Sequence, residues 1–162
     1  MSQTYLPPEQ WYASLPTVHL SACMLLTDDA DRVLLVKPNY RPYWAVPGGM
    51  VDEGEPPHVC AVREVGEELG LQVELGALLV IDWIPAMGDR RRPMVNFIFD
   101  GGIVTDPSRI RLQTDELDAA QFWLWDEAAT KLPADTAARI PAARAARKSQ
   151  HTIFLPAERH WG

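Results

Sequence analysis

The sequence predicts an α/β fold in which a mixed β-sheet packs between helices. Three observations lead there. β-prone apolar runs recur along the chain, one segment switches to helical periodicity with proline at its start and glycine at its end, and turn-forming residues separate the elements. A length of 162 residues is that of one domain, expected over 1–162 with a core over 17–130 and an Ala/Arg-rich helical segment and tail over 131–162. At 47% hydrophobic and 23% charged residues the composition is globular. A chain of this size buries roughly 70% of its unfolded surface, so its core needs no disulfide or metal.

Residues 18–26 and 32–37 are β-prone and flank the turn-like Asp28, Asp29 and Asp31, which predicts a hairpin. Residues 38–47 hold Tyr40, Tyr43 and Trp44 between prolines and read as a loop or short extended piece. Gly48 and Gly49 then mark a tight turn or the close approach of a ligand. From Pro56 or Pro57 to Leu69 the pattern is helical, with Gly70 just past its end. Residues 73–84 and 94–104 are long β-prone runs joined by a basic loop over 85–93. Residues 121–125 predict a short aromatic strand, and Asp126 is expected to cap a brief helix. Residues 134–148 are helical in composition, with Pro141 kinking or restarting the helix. The tail over 152–162 carries no decisive pattern.

The net charge of −7, from 22 acidic and 15 basic side chains, argues against a sequence-independent grip on nucleic acid. No apolar run approaches the ~18 residues of a membrane span. Residues 1–10 carry Glu9 and no basic region, so no signal peptide is expected. Cys23 and Cys60 lie in apolar stretches and read as reduced thiols. Together these predict a cytoplasmic protein. Residues 131–162 hold six basic and two acidic side chains, as an amphipathic helix would.

The helix up to Leu69 carries the chemistry. At about 100° per residue, Glu64, Glu67 and Glu68 share an arc of roughly 100°, and Val62, Val65 and Leu69 lie opposite. Like charges at this spacing repel, and more so if half-buried. A hard divalent cation would remove the conflict, with the Gly49 carbonyl as a further ligand. Taken alone, the four residues Arg63, Glu64, Glu67 and Glu68 are a solvated charged face.

Their surroundings change that balance. Glu55 follows Gly49 after five residues, and Arg63-Glu64 after seven more. Val65, Glu67-Glu68, Gly70 and Leu71 complete the pattern. This resembles the Nudix signature, Gly-x5-Glu-x7-Arg-Glu-aliphatic-x-Glu-Glu-x-Gly-aliphatic, at every position. Seven fixed residues would arise by chance in fewer than roughly one in a million chains of this length. The resemblance implies an α/β/α sandwich that hydrolyses a diphosphate linked to a variable moiety, with Mg²⁺ or Mn²⁺. It makes Glu64, Glu67, Glu68 and the Gly49 carbonyl the metal ligands, and Arg63 the residue that orients the glutamates. Glu55 would brace the loop. A metal-bound water would attack phosphorus while a carboxylate takes its proton, the base being Glu68 or Glu116.

Recognition of the remainder of the substrate falls outside the signature. Tyr43 and Trp44, with Tyr40, are candidates to stack on a base, and Lys37 and Arg41 to contact phosphate. Asn96 and Ile98 share one strand face, Phe97 and Phe99 the other; sequence does not choose which lines a pocket. The resemblance favours a small-molecule nucleotide substrate: a nucleoside triphosphate, ADP-ribose or a nucleotide sugar. It also implies a homodimer. The alternative is a catalytically inactive Nudix-fold nucleotide-binding or regulatory module.

Overall fold

The structure is a computed structural model that describes residues 5–155; residues 1–4 and the tail beyond 155 lie outside the described residues. Its centre is β1 (His19–Thr27), whose run from Ser21 to Thr27 is buried throughout because both sheet faces are covered. Asp28 makes the turn into β2 (Val33–Pro38): its carboxylate accepts from the Ala30 and Arg32 amides and from the Arg32 guanidinium. The two strands are antiparallel, as the hairpin expectation has it. The other end of the same β1 edge is taken by the short β3 (Gly48–Met50).

On the opposite edge β1 pairs in parallel with β5 (Met94–Ile103), which pairs antiparallel with β4 (Leu78–Ile84). β6 (Leu117–Trp123) extends the sheet beyond β2, and β7 (Ile153–Leu155) beyond β4. The strand order is β6-β2-β1-β5-β4-β7, a mixed seven-stranded sheet with β3 against β1.

Helices cover both faces. α2 (Pro57–Leu69) buries Cys60, Ala61, Val65 and Leu69 against Ala22, Met24 and Leu26. On the other face, α3 (Trp125–Lys131) and α4 (Arg139–Ser149) pack Trp125, Ala128, Ile140, Ala143 and Ala146 on Cys23, Leu25 and Ile98. An additional helix, α1 (Pro8–Ser14), buries no residue. No described helix is long and apolar enough to cross a membrane.

Several element bounds differ from those predicted. β4 begins at Leu78, not Val73: Gly76 and Ala77 still bond Asp100 of β5 through their backbone, but the register shifts at Leu78 and the residues before them form no strand. β6 begins at Leu117 and ends at Trp123, because β2 offers partners from Val33 to Pro38. Leu124, not Asp126, occupies the N-cap of α3; Asp126 lies inside the first turn, where its charge favours the helix N-terminus. α4 starts at Arg139, not at Ala134, which puts Pro141 third in the helix, inside its first turn.

Candidate active site

α2 ends at Gly70, whose backbone is left-handed and whose amide returns to the Gly66 carbonyl. Two other carbonyls of the last turn find partners downstream: Leu69 O accepts from the Arg111 amide at 2.7 Å and Glu68 O from the Gln113 amide at 3.0 Å. These bonds stitch the segment before β6 onto the end of α2. Asn39 holds that segment from the other side, its amide donating to Glu116 O and its side chain to Asp115 O. Glu116 is thereby brought to the same site as Glu64 and Glu68.

Arg63 organises the loop side. Its Nε donates to Glu55 Oε1 at 2.8 Å and Nη2 to Glu55 Oε2 at 3.0 Å, a bidentate pair. Nη1 donates to Glu64 Oε1 at 2.9 Å and Glu67 Oε2 at 3.1 Å, and Nη2 also reaches Met50 O. Glu55 accepts from the Asp52 amide as well, so it braces the loop. The Arg63 guanidinium and that amide hold Glu55 down at about 2, and its carboxylates hold Arg63 above its usual range.

At the other end of the acidic face, no cation among the described residues pairs with Glu68. Glu68 is buried, 8% exposed, and its Oε2 accepts a hydrogen bond from the Gly48 amide at 2.9 Å. Burial, only partly offset by that amide, together with the negative charges of Glu64, Glu116 and Glu67, pushes Glu68 up to about 8. Burial likewise raises Glu64, against the pull of Arg63 and with the push of Glu67 and Glu116. The thiols are inert neighbours: burial, Glu55 and Glu64 take Cys60 up to about 12, and burial raises Cys23.

The two glycines have separate causes. At Gly48, φ is +146°, and a Cβ would lie 2.2 Å from Ala22 O and 2.6 Å from Cys23 Cα, so backbone forbids a side chain. At Gly49 the obstacle is the site itself: a Cβ would lie 2.4 Å from Glu64 Oε1. The donors are hard carboxylate oxygens around a backbone kept bare, which fits a hard divalent cation by chemistry. Among the described residues, however, no three acidic, histidine or cysteine side chains are gathered as a ready cation cage. Glu67 turns to Arg63, and Glu68 to Gly48.

Glu64, Glu68, Glu116 and Gly49 line one cleft of about 360 Å³. Arg41, Tyr43 and Trp44 line it too, together with Tyr40, so the aromatic loop and the acidic helix share a site. Trp44 is braced edge-on by Trp123 at 5.4 Å between ring centres. Three predicted residues stand outside the lining. Arg63 and Glu67 pair behind it, and the Lys37 ammonium is spent on the backbone carbonyls of Pro38 and Arg41. The prediction missed what the C-terminal segment contributes: Leu132, Pro133, Thr136 and Arg139 also line the cleft. On the sheet, Ser21, Cys23, Met94 and Asn96 form its floor, so the Asn96 face of β5 is the one turned to the cleft.

A family model described as the NUDIX domain matches residues 17–144. The chain belongs to the Nudix family. It is 33% identical over 85 residues to a putative 8-oxo-dGTP diphosphatase of Bacillus subtilis (strain 168), covering 52% of this chain and 57% of that one. It is 36% identical over 93 residues to the RNA pyrophosphohydrolase of Gluconobacter oxydans (strain 621H), covering 51% and 54%. The chain thus spans about half the length of these curated relatives. Among solved structures, the MutT protein from Methanosarcina mazei Go1 superposes with a TM-score of 0.70 at 22% identity, covering 83% of this chain and 99% of that one. A UDP-X diphosphatase also gives 0.70, at 19% identity over 94% and 76%. These likenesses establish the Nudix fold, and the box residues Gly49 to Leu71 lie inside the matched range.

Proposed function

We propose that this chain hydrolyses a diphosphate linkage in a nucleoside diphosphate derivative (a nucleoside triphosphate, ADP-ribose or a nucleotide sugar), acting in the cytoplasm on a small molecule. The observation that carries this is the convergence of Glu64, Glu68 and Glu116 with the bare backbone of Gly49 in one aromatic-walled cleft. Relatives named as a putative 8-oxo-dGTP diphosphatase and as an ADP-ribose pyrophosphatase support the same substrate class.

Glu64, Glu67, Glu68 and the Gly49 carbonyl would hold Mg²⁺ or Mn²⁺. When bound, such a cation neutralises phosphate charge and lowers the pKa of a coordinated water. The chain supplies the remainder. Arg63 fixes the Glu64 and Glu67 carboxylates through its Nη1. Glu68 keeps its orientation through the Gly48 amide at Oε2, which leaves Oε1 to take a proton; Glu116 is the other carboxylate placed to do so. Tyr43 and Trp44 offer ring faces to the substrate, and Arg41 a cation to its phosphates.

The test is a Mg²⁺-dependent hydrolysis screen with wild type beside Glu68→Gln and Glu116→Gln. The panel holds normal and oxidised nucleoside triphosphates, ADP-ribose, nucleotide sugars and dinucleoside polyphosphates, with products identified by mass. Turnover of one class, abolished by Glu68→Gln, is the expected result, and the Glu116→Gln rate assigns the base. Ligand binding with no turnover anywhere would replace hydrolysis with a nucleotide-sensing role.

A further inference from the structure

The cleft holds a cation that the proposed chemistry does not use. Arg139 opens α4 and lines the cleft together with Leu132, Pro133 and Thr136. The segment that carries it is tied down on both sides. The Pro133 carbonyl accepts from the Thr136 and Ala137 amides and from Thr136 Oγ1, and the Arg139 amide returns to Thr136 O. The Trp44 amide donates to Lys131 O at 3.1 Å, which joins this segment to the aromatic wall. The next position, Ile140, is 1% exposed and anchors the start of α4 in the core.

The guanidinium is held from behind. Its Nε donates to Oδ2 of the fully buried Asp82 at 2.7 Å, while the Arg139 side chain keeps 12% of its surface. Among the described residues neither Nη group donates a hydrogen bond, and neither is sealed from the cleft that Arg139 lines. An ion pair with a wholly buried partner adds little net stability, because desolvation offsets the attraction. Stability alone therefore does not account for a guanidinium here. What it presents to the cleft is a fork of paired donors.

Position and charge define what that fork meets. In the strand registers Asp82 faces Asn96, Asn96 faces Ser21, and Ser21 faces Met50. Three strand spacings, about 14 Å, thus separate Asp82 from β3, where Gly49 meets Glu64. A nucleoside diphosphate with its phosphates at the acidic end reaches that far with its base. A further phosphate at Arg139 is disfavoured, because Asp82 already neutralises the guanidinium and Glu64, Glu68 and Glu116 line the same cleft. A neutral ring edge with two adjacent acceptors suits it. Guanine offers O6 and N7 side by side, whereas adenine sets an amino donor beside N7.

We infer that Arg139 is a specificity-determining residue whose Nη fork donates to the O6 and N7 edge of a guanine base, with Asp82 as its positioning residue. The inference rests on the nucleotide reading above but not on turnover. It also sets guanine above 8-oxoguanine, whose N7 carries a hydrogen and would meet the fork donor to donor.

Binding therefore tests it. Calorimetry with Mg²⁺ compares the α,β-methylene diphosphates of guanosine, 7-deazaguanosine, 8-oxoguanosine and adenosine with base-free methylene diphosphonate. Arg139→Lys keeps a charge against Asp82 but lacks the fork; the double variant Asp82→Asn/Arg139→Gln removes both charges, should the lysine prevent folding. Wild type should bind the guanosine compound about tenfold or more tighter than the other three nucleosides, and either variant should hold all four within about threefold. Methylene diphosphonate should bind every protein within about twofold of wild type. A wild type without the guanosine preference overturns the inference. So does a preference that survives in the folded variants, or a loss shared equally by methylene diphosphonate. Guanine-ranked binding lost in the variants, without hydrolysis of the cleavable counterparts, would refute the hydrolase reading and leave Arg139 in its role. Hydrolysis without guanine preference would do the reverse.

Discussion

Two parts of the acidic site around α2 treat negative charge in opposite ways. At the loop end, Arg63 gathers Glu55, Glu64 and Glu67 on one guanidinium, and Glu55 titrates at about 2. At the end nearer Gly70, Glu68 is buried against Gly48 with Glu64 and Glu116 nearby, and it titrates at about 8. The residue type is the same and the separation is 13 positions along one box. The fold has thus settled the charge of one end internally and left the other with carboxylates that repel. An unsettled end is one that a cation from outside the chain can stabilise.

The largest effect that separates the two ends is on rate. Glu68→Gln should lower kcat by about 10²- to 10⁴-fold, whereas Glu55→Gln should cost under about tenfold. Equal losses would break the distinction. Next come the adjacent glycines, one serving the sheet and the other Glu64. Gly49→Ala pushes on the far end of the Glu64 side chain rather than on backbone, so it should fold normally and lose about 10²-fold in rate by misplacing that carboxylate. Gly48→Ala meets backbone, so it should lose about 1–3 kcal/mol of stability in a urea melt.

Arg63→Ala should lower the melting temperature by several degrees, and Arg63→Lys should recover only part, because a lysine lacks the fork that binds Glu55 at two points. The pH dependence is the most diagnostic. Between about pH 4.3 and about pH 8 the folded, chelated protein keeps a proton on Glu68 that the unfolded chain releases. Stability should therefore fall as pH rises through that window, and Glu68→Gln should remove the fall. Glu55 has the opposite sign: its contribution is present above about pH 4.3 and lost as pH drops toward 2, and Glu55→Gln should remove it. Thermal melts across pH, with and without Mg²⁺, read both signs.

Much of the fold was legible because local signals agree with it. The hairpin turn has aspartates where β1 and β2 need a turn, and α2 has proline and glycine where it starts and stops. Where tertiary pairing decides, the sequence misleads. Ala119 and Ala120 are poor strand formers, yet they lie in β6 because β2 supplies the ladder. The helix of the Ala/Arg-rich segment is amphipathic as read, but which side meets the sheet is decided only by packing, which buries Ala142, Ala143 and Ala146 and leaves Ala145 exposed. Within the site, spacing alone placed Glu64, Glu67 and Glu68 on one face. Their different fates were not legible, because the helical wheel does not include β3 and the Glu116 segment, which bury Glu68 while Glu67 remains exposed. Lys37 shows the same limit: a cation near the glycines, but one taken by its own loop.

The parallel pairing of β1 with β5 has a kinetic consequence. Ser21 and Asn96 sit side by side in the sheet but lie 75 residues apart in the chain, with β2, β3, α2 and β4 between them. Closing so long a loop costs entropy before the contacts formed can offset it, and folds dominated by such contacts fold slowly. The floor of the cleft spans that junction, so a chain still searching for its topology has helices and hairpins but no floor. Binding of any ligand that needs the β1–β5 floor would then report that the slow step is complete, which makes ligand binding a clock for folding as well as a measure of affinity.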